Sequence, residues 1–137
     1  MPIRLLFLFL LAAFLASACS STPIRDIGLD KLAPRKAEQE LSAGLKNYEN
    51  GHYQLAAKNL QNALNNGLTF KSDRVTAHKY LAFVYCVSDQ KKQCREQFKE
   101  ALEINPDFEL SAVEAGHPIW GPVFREVRAE QGRQENR

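Results

Sequence analysis

The chain has 137 residues, 45% hydrophobic and 25% charged, with 18 basic against 16 acidic residues and a formal net charge of +2. That length holds one domain able to bury a single core without a metal or a dense disulfide framework. A charge so nearly balanced, with no polybasic run, excludes an electrostatic case for nucleic acid or lipid headgroups as partners.

Arg4 is the only charged residue before Cys19, and an unbroken apolar run, Leu5–Leu15, follows it. The run is too short to span a bilayer as a stable helix but suits the apolar region of a secretory signal. The segment Leu15-Ala16-Ser17-Ala18-Cys19 resembles the lipobox of bacterial lipoproteins, in which the cysteine is acylated and becomes the first mature residue. Here the leucine stands one position further from the cysteine than the lipobox usually has it, so Ala16-x-Ala18 is also readable by ordinary signal peptidase. The expected organisation is a cleaved signal at 1–18, a flexible tether at 19–35, a helical domain at 36–130 and a frayed tail at 131–137. Ser20, where an aspartate would favour retention in the inner membrane, implies sorting to the outer membrane, with the protein lipid-anchored on its periplasmic face. The tether, with Pro23, Gly28 and Pro34, has no helical periodicity.

From Lys36 onward the pattern is helical and repeats. His78, Leu81, Ala82, Tyr85, Cys94, Phe98, Ala101 and Pro106 fall on the spacing of a tetratricopeptide repeat. Leu81, Ala82 and Tyr85 share one face of a first helix, and Cys94, Phe98, Ala101 and Leu102 one face of a second. Small residues at 82 and 94 allow close approach, with Tyr85 and Phe98 filling the wedge between the helices. Ser72 or Asp73 is the expected cap of the first helix, and Asn105-Pro106 ends the second. An earlier copy runs in register: Gly44 takes the small position, Gly51-His52-Tyr53 the turn, then Ala56, Leu60 and Ala63 follow. The spacing from Gly44 to Ala82 exceeds the usual period of about 34 residues, and the surplus fits the connection around Leu68–Lys71.

Two repeats alone expose too much apolar surface, and the C-terminal segment is expected to cap them. Ile119, Trp120, Val123, Phe124 and Val127 form an apolar stripe, Pro122 suits a first helical turn, and Ser111-Ala112-Val113-Glu114 reads as a short capped turn. The polar stretch Arg128–Arg137 is expected to fray. The expected fold is therefore all-α, with two tetratricopeptide-like helical hairpins and a C-terminal capping helix.

The residues that carry chemistry elsewhere do not converge here. His52, His78 and His117 are scattered, with no helically spaced histidine or carboxylate partner of the kind zinc enzymes use. There is no phosphate-binding glycine loop and no nucleophile elbow. Glu38, Glu40, Glu49, Glu96, Glu100 and Glu103 read as solvated helix faces. The expectation is a non-enzyme with no catalytic residues, no metal, no cofactor and no small-molecule substrate. With Cys19 taken by lipidation, Cys86 and Cys94 remain in an oxidising compartment, at the end of one helix and the start of the next. They are expected to staple the hairpin; the alternative is that Cys94 is simply the small residue of the repeat.

In tetratricopeptide arrays the first helix of each repeat lines the concave face. With Leu81, Ala82 and Tyr85 assigned to the core, Thr76, Lys79 and Phe83 are expected in the groove, with Leu41, Leu45 and Tyr48 as their counterparts. Phe83 and Tyr48 would anchor a partner, and Lys79 would select an acidic segment. The alternative is that the stretch around Trp120 folds back and fills the groove. Over roughly residues 41–128 the chain also resembles the small tetratricopeptide lipoproteins of type VI secretion, of the TssQ kind. The resemblance is carried by Tyr48-Glu49-Asn50-Gly51 with Tyr53, by Ala77–Cys86, by Cys94 with Phe98, and above all by Glu114-Ala115-Gly116-His117-Pro118-Ile119-Trp120-Gly121-Pro122-Val123-Phe124. It implies a non-enzymatic accessory of a secretion apparatus, working in the periplasm through a protein partner. A pilotin-like lipoprotein assisting a pilus or other secretion complex is the alternative.

Overall fold

A computed structural model describes residues 35–135. The expected signal, the acylated Cys19 and the tether up to residue 34 lie outside the described residues, as do 136 and 137. Six helices follow one another: α1 Lys36–Glu49, α2 Tyr53–Asn65, α3 Lys71–Val87, α4 Lys91–Ile104, α5 Ala112–Ala115 and α6 Gly121–Glu135. They pack as two antiparallel hairpins, α1 with α2 and α3 with α4, and α6 lies against α4.

In the first hairpin, Ala37, Leu41 and Gly44 recur at helical spacing and bury one stripe of α1. The facing stripe of α2 is Ala56, Leu60 and Ala63, all fully buried. Gly44 sets how close the helices come: a methyl group built there would fall 2.7 Å from Leu60 Cγ and 2.8 Å from Leu60 Cδ2. The turn depends on Gly51, whose φ of 75° is the left-handed conformation that ends helices. A polar ladder crosses the same hairpin, Asn47 Nδ2 donating to Asn59 Oδ1 at 2.9 Å and Asn59 Nδ2 to Glu40 Oε2 at 2.7 Å. Asn47, which stands where the repeat pattern has tyrosine, thus replaces packing by hydrogen bonds.

α3 is buried on most of its circumference because it meets α1, α2 and α4 at once. It joins two apolar clusters. One holds Leu41, Leu60, Leu68, Ala77 and Leu81; the other holds Phe83, Cys86, Cys94, Phe98, Leu110, Trp120, Phe124 and Val127. Tyr85, half-buried, bridges both, and Gln61 Nε2 of α2 donates to its hydroxyl. His78 meets Gln97 of α4 at 2.8 Å. A disulfide joins Cys86 to Cys94, whose Cα atoms are 5.1 Å apart, within the range such bonds allow.

Three local expectations are corrected. Neither Ser72 nor Asp73 caps α3: the helix starts at Lys71 with no side-chain cap, and the carbonyl of Phe70 accepts from the N–H groups of Asp73 and Arg74. Leu68, buried in the first cluster, docks the connection and starts the helix ahead of both residues. Ile119 leaves the apolar stripe, lying 48% exposed in the turn before α6. The polar end of the chain does not fray at Arg128, since α6 continues to Glu135. Arg128 donates to the Phe108 carbonyl at 2.6 Å and pairs with Glu109 at 2.7 Å, while Arg95 of α4 holds Glu126 and Glu130. Ser111 and Glu114 do form the reciprocal capping box of α5.

Candidate functional site

The six residues expected to line a groove lie on α1 and α3, and aromatic contacts link the two helices. The Tyr48 ring sits 4.9 Å from Tyr80, edge to face, and 6.2 Å from Phe83. Burial of Tyr48, and then the charges of Tyr53, Tyr80 and Glu114, push its hydroxyl up to about 12.

The half of this face contributed by α3 is already filled. Phe83 is 2% exposed and stacks on Trp120 with ring centroids 4.4 Å apart. His117 covers the other face of the indole at 3.3 Å, and Trp120 Nε1 donates to the Glu114 carbonyl at 2.9 Å. Lys79 Nζ pairs with Glu114 Oε1 at 2.7 Å and lies over the rings of Tyr80 and Phe83. The expectation that Lys79 and Phe83 stand free for a partner is therefore corrected: the segment 111–120 supplies the acidic and aromatic groups they would have sought. Thr76 remains half-buried on the same helix.

One carboxylate organises this segment. Glu114 Oε2 accepts from the Ser111 N–H at 2.9 Å, closing the capping box, and Oε1 takes the lysine. Burial raises its pKa, but the hydrogen bonds from Lys79 and Ser111 and the lysine's charge outweigh that and hold it below the ordinary carboxylate range. The capping box is readable as a four-residue motif. The pairing with Lys79 is not, because 35 residues separate the partners.

The α1 half remains open. A concavity of about 550 Å³ is lined by Glu38, Leu41, Ser42, Leu45, Lys46 and Glu49 of α1 and by Asp73 of α3. Leu41 is buried beneath it and Leu45 half-buried. Arg35 donates to Glu38 Oε1 at 2.6 Å and holds that carboxyl below its ordinary value. Of the six expected residues, Leu41 and Leu45 belong to this open end, Tyr48 stands between the halves, and Lys79 and Phe83 are under the C-terminal segment. Glu38, Ser42 and Asp73 were not expected here; their place at one stripe of helical spacing with Leu41 and Leu45, or at the start of the neighbouring first helix, was the available signal.

Among the described residues, no group of three or more His, Cys, Asp or Glu side chains is arranged to hold a metal. No helix among them is long and apolar enough to cross a membrane. Compared with known proteins, the chain matches no protein-family model, and neither the curated proteins nor the solved structures provide a relative.

Proposed function

We propose that the chain is a non-enzymatic lipoprotein, acylated at Cys19 and held on the periplasmic face of the outer membrane, whose helical domain is a tetratricopeptide-like protein-interaction module. Its working context in this reading is a secretion machine, as an accessory of type VI secretion. The observation that carries the interaction reading is the shared face of α1 and α3. Two first helices lie side by side, bridged by Tyr48, Tyr80 and Phe83, with an open concavity at one end. Small residues at the hairpin interfaces, Gly44 against Leu60 and the fully buried Ala82 and Cys94, support the repeat assignment. The membrane and secretion parts rest on the lipobox-like segment and on the family resemblance of residues 41–128.

Two measurements test the reading. Metabolic labelling with a fatty-acid analogue should mark the wild type and not Cys19→Ala, and equal labelling would remove the anchor. Pull-down of the acylated protein in mild detergent, with mass spectrometry of what accompanies it, should recover components of a secretion apparatus. Recovery of a pilus secretin or pilin would favour the pilotin-like alternative.

A further inference from the structure

We infer that the open end of the α1–α3 face receives a basic segment of a partner protein, one that seats an apolar side chain on Leu45 between flanking carboxylates. The inference rests on the protein-interaction reading and specifies the chemistry of the partner. It also reverses the charge preference that Lys79 would have given.

Two observations converge. The concavity has an aliphatic floor, Leu41 and Leu45, and its rim carries the carboxylates of Glu38, Glu49 and Asp73 against the one ammonium of Lys46. Glu38 adds less to that rim than its neighbours: its Oε1 accepts from Arg35 at 2.6 Å and from Thr69 at 3.4 Å, and its Oε2 is closed to solvent. Glu49 stands in the last turn of α1, where the carbonyl end of the helix dipole disfavours negative charge. Its exposed side chain makes no ion pair or hydrogen bond among the described residues. A carboxylate placed against the dipole without an internal partner gains nothing from the fold, and an incoming ammonium or guanidinium supplies what is missing. Lys79, the cation that would have repelled such a segment, is neutralised by Glu114 at the other end of the face.

Two short fluorescein-labelled peptides test this, matched in their leucine positions, one with lysine and the other with glutamate at its polar positions. Each is titrated into the full-length protein in detergent and followed by anisotropy. The lysine peptide should bind more tightly, lose affinity as salt is raised, and weaken by about tenfold when Glu49→Lys and Asp73→Lys are combined, as expected for two reversed surface charges. Glu96→Lys with Glu100→Lys, on the exposed side of α4, should change little. Where the double substitution disturbs folding, Glu49→Gln should give a smaller loss in the same direction. Equal binding of the two peptides, or equal loss from the α4 control, would overturn the assignment. The probes are synthetic, so this result does not depend on whether a secretion component co-purifies, and the surface and the machine fail separately.

Discussion

Replacing Trp120 with alanine asks whether the C-terminal segment is part of the core or a strap laid over a binding face. The indole is 7% exposed and held between Phe83 and His117. Its removal uncovers the Phe83 ring and opens the cluster that also holds Phe98, Phe124 and Val127. Large aromatic-to-alanine changes in cores cost about 3–5 kcal/mol. The lost Nε1–H bond adds little, because the Glu114 carbonyl also accepts from the His117 N–H at 3.2 Å and is not orphaned. Against a total stability of about 5–15 kcal/mol, that loss is a large fraction. Since each kcal/mol shifts Tm by about 4–8 °C in a domain of 60–100 residues, Tm should fall by at least about 12 °C. Circular dichroism at 222 nm during urea and thermal unfolding, with the disulfide kept oxidised, reads both quantities. Trp120→Phe, which keeps a ring against Phe83, should recover most of the loss. A change no larger than the roughly 0.5 kcal/mol of ordinary surface substitutions would refute the packing argument.

Gly44→Ala should destabilise by about 1–3 kcal/mol in urea unfolding, since its methyl collides with the fully buried Leu60; a neutral or stabilising result would show that the hairpin relaxes freely. Glu114, whose folded pKa lies below its unfolded value, contributes stability at pH above the ordinary carboxylate value and loses it as pH falls through the lower folded value. Wild type should therefore lose more stability than Glu114→Gln between neutral pH and acid below that value, and parallel losses would separate the carboxylate from the effect. Alkylation of non-reduced protein should leave Cys86 and Cys94 unmodified, and reduction should cost somewhat less than the roughly 3 kcal/mol of a 15-residue loop, because this loop is shorter. Two alkylated thiols would remove the bridge.

The parts of the fold legible in the sequence were those set by local spacing. Gly44 with Leu60, Ala82 with Cys94, the Gly51 turn and the stop at Asn105-Pro106 announce two hairpins, and a third apolar stripe at 120–127 announces the last helix. The parts that were not legible depend on groups far apart in the chain. Nothing near Arg128 in sequence shows that it reaches the carbonyl of Phe108, or near Glu130 that Arg95 awaits it, so a polar run reads as frayed when it is a clamped helix. The same holds for the site. The stripe through Leu41, Leu45, Thr76, Lys79 and Phe83 follows from helical periodicity, but its occupancy depends on a segment that arrives from residue 111 onward. Helix starts fail for a smaller reason: Ser72 and Asp73 have capping side chains, yet burial of Leu68 decides where α3 begins.

The magnitude argued for Trp120 also decides where a partner can bind. A segment displacing Trp120 and Glu114 from the α3 half would first have to offset about 3–5 kcal/mol of core packing, a hundredfold to several-thousandfold penalty in affinity. It would also leave Lys79 to be paired afresh and Phe83 to be covered by a ring of matching size. The α1 half carries no such penalty. Leu45 is already half-exposed in a standing concavity over the buried Leu41, and the Glu49 side chain has no partner among the described residues to leave. The segment that caps the second hairpin therefore does two things with one set of contacts. It completes the core that two hairpins cannot close alone, and it takes the aromatic and cationic half of the shared face out of competition. What remains exposed is the half whose rim is mainly acidic, with Glu38, Glu49 and Asp73 against Lys46. The repeat pattern by itself would have assigned this face to an acidic ligand; the basic partner proposed above follows from the half that the C-terminal segment leaves uncovered.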